Sequence, residues 1–192
     1  MNVPDSYDGA IEKMLFSAED ISQAVRRLAR EIASDHCGQP LTLIGVLKGA
    51  LYATTDLARA IAGLPNGPSE IIVDYICVSS YGNRSRSSGE VRMLKDASEQ
   101  ITGRAVVIVE DIVDNGLTLS YLQALLRERN PESLRSCVLF NKPYNRRVDV
   151  TVEYVGLQSP DEFVVGYGLD YQEVFRNLPY LAQLRPAVFK ES

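Results

Sequence analysis

Apolar positions along the chain switch repeatedly between helical spacing and short unbroken runs. Ile21, Val25, Leu28 and Ile32 recur at helical spacing after Ser17, which has Asp20 three residues on, the pattern of an N-terminal capping box; Gly38 closes the stretch. Residues 41–47 (LTLIGVL) form a short apolar run, then Lys48-Gly49, then a helical pattern at Leu51, Thr54, Leu57, Ala58 and Ile61 closed by Gly63. Residues 70–79 (EIIVDYICVS) are rich in β-branched side chains and predict a strand, with residues 91–94 as its returning partner. Residues 80–90 (SYGNRSRSSGE), between them, are polar, basic and glycine-bearing, the composition of a mobile hairpin tip. A third strand is expected over residues 104–110 (RAVVIVE), a helix over 116–129 with Leu119, Leu122, Leu125 and Leu126 on one side, and a fourth strand over 134–140 (LRSCVLF).

Strands that alternate with helices and are apolar on both faces predict an α/β fold: an open, mostly parallel sheet flanked by helices. The tail from Tyr154 contains only short strand-like pieces and is expected to fold over the sheet as a small lobe without extending it. With 192 residues the chain predicts one domain, its core at about residues 17–150 and a hood at about 1–16 and 151–192.

Composition narrows the chemistry. Hydrophobic residues make up 45% and charged residues 23%, as in ordinary globular domains, and the net charge of -5 opposes a nucleic-acid surface. No apolar run reaches membrane-spanning length, and the start MNVPDSYDGA lacks the basic and apolar regions of a signal peptide, so no membrane partner and a cytoplasmic location are expected. Cys37, Cys77 and Cys137 with the single His36 lack zinc-site spacing; Cys77 and Cys137 are expected to be buried and His36 to lie at a helix end or on the surface. A lone histidine so placed leaves no Ser-His-Asp mechanism.

In open α/β sheets ligands bind beyond the carboxyl ends of the strands. The loop after the third strand reads Glu110, Asp111, Ile112, Val113, Asp114, Asn115, Gly116, Leu117, Thr118. Its second half brings a glycine, small polar side chains and backbone N–H groups to a helix N-terminus, an arrangement suited to a phosphate monoester. Carboxylates repel phosphate, so Glu110 and Asp111 must serve ribose hydroxyls or a magnesium ion, both of which need oxygen acceptors or ligands. A phosphate at one end and a diol at the other describe a sugar phosphate. Neither a P-loop nor a dinucleotide-binding glycine string occurs in the chain.

At these residues the chain resembles the type I phosphoribosyltransferases, and within them the hypoxanthine-guanine branch. It departs from the family's signature at Asn115, where a threonine or serine hydroxyl is expected. The resemblance runs from about Leu41 to Arg176 and implies transfer of a phosphoribosyl group from 5-phosphoribosyl-1-pyrophosphate to a 6-oxopurine, with Mg2+ as cofactor and a homodimer or homotetramer as the assembly. Leu47-Lys48-Gly49 is similar to the family's pyrophosphate loop, in which the peptide before the lysine is often cis. The resemblance gives Asp114 the proton at purine N7, Lys142 the 6-oxo group, Phe163 a stacking role, and Val164 a backbone contact to the base, with Ile112 beside it. It makes Asp170 a metal or base ligand, joins it with Glu110 and Asp111 as metal-site residues, and sets Arg176 against pyrophosphate. Ser80 and Tyr81 match the lid that closes over the reacting centre. Two alternatives stay open: a non-catalytic sensor of the same nucleotides on this fold, and a phosphoribosyltransferase for xanthine or a pyrimidine.

Overall fold

The computed structural model describes residue 7 and residues 9–81 and 90–189, without the side chains of Ser80, Tyr81 and Glu90. The proposed lid, which falls on residues 80–90, thus lies outside the described residues except for the backbone at its two ends.

Six strands form one sheet in the order β4-β3-β2-β5-β6-β7. The central pair, β2 (Pro40–Leu47) and β5 (Ala105–Val113), are parallel, with Leu41 opposite Ala105 and Gly45 opposite Val109. Outward from them lie β3 (Glu70–Tyr81) and β6 (Ser133–Asn141), also parallel. The hairpin strand β4 (Glu90–Lys95) runs antiparallel to β3 at one edge. At the other edge β7 (Tyr154–Gln158) pairs parallel with β6, which corrects the expectation that the tail leaves the sheet unextended. Its apolar residues are few, but β6 offers it a free parallel edge and Tyr154 anchors it, 3% exposed.

Period-two alternation sorts the core. In β5, Ala105, Val107 and Val109 face one layer and Val106 and Ile108 the other. The first layer is covered by α1 (Ala18–Asp35) and α2 (Leu51–Ala62), the second by α3 (Leu117–Arg127). Helix α1 starts at the expected capping box: Ser17 Oγ accepts from Asp20 N at 3.1 Å, and Asp20 Oδ2 accepts from Ser17 N at 2.8 Å. Its predicted stripe of Ile21, Val25, Leu28 and Ile32 is buried. Leu51 departs from the pattern expected of α2: it is exposed, and Ala53 takes a buried place instead. His36 caps the end of α1 but is 2% exposed rather than on the surface, with Nε2 3.4 Å from the Tyr154 hydroxyl. Cys137 is buried as expected, whereas Cys77 is only partly so.

A second, three-stranded sheet joins the two ends of the chain: β1 (Ile11–Phe16) and β8 (Val164–Val165) both pair antiparallel with β9 (Leu181–Leu184). Val165, Phe175, Leu178, Tyr180 and Ala182 form its own small core. A short helix, α4 (Pro186–Phe189), follows. Among the described residues no helix is long and apolar enough to cross a membrane.

Candidate active site

The parallel strands all deliver their carboxyl ends to one rim, where the sequence-selected loops meet. β5 continues three residues beyond the expected end at Glu110, because Ile112 and Val113 still pair with Phe140 and Asn141 of β6. Glu110 and Asp111 are therefore strand residues on a rigid support. Together with Asp114, Asn115, Gly116 and Thr118 they line a cleft of about 240 Å³.

The two carboxylates are not solvated. Glu110 is 6% exposed and its Oε1 finds no hydrogen-bond partner among the described residues. Burial, then the charge of adjacent Asp111, pushes the Glu110 carboxyl well above the ordinary range. Burial likewise pushes Asp111 up to about 6, although the Ile112 N–H donates to its Oδ1 at 2.8 Å and Arg176 lies close enough to oppose the shift. A buried and a half-buried acid with raised pKa values, and a Glu110 acceptor left without a partner among the described residues, amount to a site that awaits a cation or hydroxyl donors.

Four residues on from Glu110, Asp114 Oδ1 is also buried without a partner among the described residues. Its Oδ2 is 3.9 Å from the Lys142 ammonium, which also lies 3.3 Å from Asp161 Oδ1 and donates to Glu162 O at 3.1 Å. Lys142 stands just past β6, tied by its backbone N–H to Val113 O at 2.9 Å. The loop then turns into α3 through Gly116 at φ +84°, where a Cβ would press to 3.1 Å from Val148 O. The Asn115 carboxamide folds back, its Oδ1 accepting from Leu117 N at 2.9 Å. It thus occupies one N–H of the helix start that an anion would otherwise use.

The loop after β2 carries a cis peptide between Leu47 and Lys48. It packs on the loop after β8 and on β5 without intervening side chains: a Cβ on Gly49 would collide with the Asp111 carboxylate, and one on Gly168 with Gly49 O. From the third loop, Arg176 donates through Nη1 to Gly168 O at 2.7 Å and through Nη2 to Asp170 Oδ1 at 2.7 Å, while its Nε is buried without a partner among the described residues. Asp170 is thereby committed to Arg176. No cluster of three or more metal-ligating side chains exists among the described residues. Magnesium characteristically takes one or two carboxylates and fills the rest with water and substrate oxygens, so it does not require such a set.

Phe163, just before β8, is 38% exposed and so is no core residue; it meets Tyr171 edge-on at 5.8 Å and stacks on Phe189 at 4.8 Å. Val164 is buried within β8, and Ile112 is half-buried beside the cleft. Sequence reasoning passed over two acids that touch the site cations: Asp161 beside Lys142, and Glu173, whose Oε2 is 2.7 Å from Lys48 Nζ and 3.4 Å from Arg176 Nη2. Lys48 and Glu173 are 125 residues apart, and no local pattern links them.

Residues 13–172 match the phosphoribosyl transferase domain family. The chain is 46% identical over 180 residues to the hypoxanthine-guanine phosphoribosyltransferase of Bacillus subtilis, an alignment covering 94% of this chain and 97% of that protein. It is 47% identical over 190 residues to the Mycobacterium tuberculosis protein of the same name, with 96% and 91% covered. The crystal structure of a hypoxanthine phosphoribosyltransferase from Staphylococcus aureus superimposes with a TM-score of 0.89 at 37% identity, covering 98% of this chain and 99% of that one. The acidic strand end, the glycine-turned helix start and the converging cationic loops thus sit on a shared fold, and the chain belongs to the phosphoribosyl transferase family, in its hypoxanthine-guanine branch.

Proposed function

We propose that the chain transfers the 5-phosphoribosyl group of 5-phosphoribosyl-1-pyrophosphate to N9 of hypoxanthine or guanine, giving IMP or GMP and pyrophosphate, as a purine salvage enzyme. The observation that carries this reading is the β5 loop, where Glu110 and Asp114 each keep a buried acceptor oxygen without a partner among the described residues, beside a helix start suited to a phosphate.

The residues divide the substrate by charge. Asn115, Gly116, Leu117 and Thr118 would cradle the 5-phosphate, and Glu110 and Asp111 would accept from the ribose hydroxyls. Lys48, Gly49 and Arg176 would meet the pyrophosphate. Asp114 and Lys142, 3.9 Å apart, present an acceptor beside a donor. That pair complements the adjacent N7–H and 6-oxo groups of a 6-oxopurine and mismatches a 6-amino group, which an ammonium cannot accept from. Phe163 supplies an exposed ring for stacking, and Val164 its backbone.

Asp114 then holds or takes the N7 proton as N9 attacks C1 of the sugar and the bond to pyrophosphate breaks. Positive charge gathers on the ribose in that transition state, and the excluded, acidic floor formed by Glu110 and Asp111 favours it. The same two carboxylates fit Mg2+ as hard oxygen donors whose charge is only partly compensated, by Arg176 and the Ile112 N–H beside Asp111, and Asp170 could join them only by yielding part of its Arg176 contact. Bound there, magnesium would offset charge on the departing pyrophosphate. Ser80 and Tyr81 would close over the centre. A cytoplasmic homodimer or homotetramer completes the reading.

The test is to supply hypoxanthine, guanine or xanthine with phosphoribosyl pyrophosphate and magnesium and to follow nucleotide formation. IMP or GMP is the expected product. No nucleotide from any of the three bases would overturn the reading.

A further inference from the structure

Glu173 has no role in the chemistry above, yet its carboxylate occupies the pyrophosphate end of the site. One oxygen, Oε2, lies 2.7 Å from Lys48 Nζ and 3.4 Å from Arg176 Nη2. These cations come from different loops, one after β2 and one after β8, and a single anionic oxygen bridging them has the charge and reach of a phosphate oxygen. The turn is built to present it. Gln172 and Glu173 both adopt positive φ, +53° and +67°, and the Glu173 N–H donates to Asp170 Oδ2 at 2.8 Å while Asp170 Oδ1 holds Arg176. One aspartate therefore fixes both Glu173 and its cationic partner.

The contact is also easy to exchange. Side-chain exposure is 62% for Lys48 and 63% for Glu173, so water screens the pair and an incoming polyanion can displace it. Resting on the proposed function, we infer that Glu173 is an internal stand-in for a pyrophosphate oxygen. It holds Lys48 and Arg176 in register before substrate arrives, competes with pyrophosphate for them, and so sets the affinity for phosphoribosyl pyrophosphate and the ease with which pyrophosphate leaves.

The experiment compares the full chain with Glu173→Gln, which keeps the shape and removes the charge, and with Glu12→Gln, which removes a charge paired to Arg185 on β1. Magnesium pyrophosphate binding is measured by calorimetry, and KM for phosphoribosyl pyrophosphate and for the base by initial rates. Glu173→Gln is expected to tighten pyrophosphate about two- to fivefold, the scale of an exposed ion pair, and to lower KM for phosphoribosyl pyrophosphate alike. KM for the base should stay unchanged, and Glu12→Gln should match the wild type. An active wild type whose Glu173→Gln variant binds pyrophosphate equally or more weakly overturns this inference alone, as does equal tightening by Glu12→Gln. A wild type that forms no nucleotide overturns the functional reading and this inference with it.

Discussion

Two strands that flank β2, β3 and β5, each carry acid, and they treat it in opposite ways. Asp74 on β3 is 8% exposed, yet its carboxylate accepts from the N–H groups of Tyr75, Ser98 and Glu99 at 2.7, 2.6 and 2.9 Å, with the Lys95 ammonium 3.6 Å away. Burial alone would push its pKa up, but those donors outweigh it and hold the carboxyl below the ordinary range. On β5 Glu110 is buried as well and Asp111 half-buried, but with fewer donors, and both are pushed up. Asp74 stitches the segment after β4 to β3, and its capacity is spent within the fold. The β5 pair keeps its capacity for something that arrives from outside. A buried carboxylate thus marks a binding site only when its acceptors are left over.

The largest test of this contrast lies in the same loop. Asp114→Asn keeps the size of the side chain and removes the base, and kcat should fall by about 10²- to 10⁴-fold. Wild-type turnover in this variant would remove Asp114 from the proton's path. Asp74→Ala should instead cost about 3 kcal/mol of stability, because three N–H donors lose their acceptor, and turnover per folded molecule should persist. For a chain of this size that is about 6–12 °C in Tm, read by thermal denaturation. Because the folded-state pKa of Asp74 lies below the unfolded value of about 3.9, this stabilisation is complete above that pH. It is lost as pH falls through the folded value, so wild type and variant should converge in strong acid.

Asp111→Asn should reverse the balance. Removing one charge from a crowded, only partly compensated pair should raise stability without ligand by about 1 kcal/mol while phosphoribosyl pyrophosphate binding falls, as thermal shift with and without substrate would register. A destabilised apo variant would place Asp111 in the same class as Asp74. The smallest effect is expected at Asn115→Thr. A hydroxyl caps Leu117 N less firmly than the carboxamide does and can itself donate to phosphate, so KM for phosphoribosyl pyrophosphate should fall about two- to tenfold. An unchanged KM would mean that the Asn115 cap does not compete with the 5-phosphate.

Legibility in the sequence followed locality. The β5 loop could be read because its acids, glycine and helix start are contiguous, and α1 because its capping box and apolar stripe are written within one helix. β1 (IEKMLF) could not, since it is largely exposed or half-buried and becomes a strand only through a partner distant in the chain; β7 (YVGLQ) falls on a strand-like piece of the tail, but its place beside β6 is set by pairing that no local pattern shows. β5 outlasts its apolar run because Glu110 and Asp111 interrupt the run while the ladder to β6 continues through them. Glu173 was passed over for a related reason: between Asp170 and Arg176 it reads as one more polar loop residue, and only folding brings Lys48 to it.

The glycine stack beneath the cationic loops bears on how genetic variation in this protein would be interpreted. Gly168 abuts Gly49 and Gly49 abuts Asp111, with no room for a methyl group at either junction. A Gly168→Ala allele would displace the Gly49 carbonyl beside Lys48, and a growth screen would score it as an active-site lesion although the new methyl group meets only that backbone. The two glycines can diverge in a lineage only if the backbone of a whole loop moves with them, so the spacing between the loops is inherited as a unit.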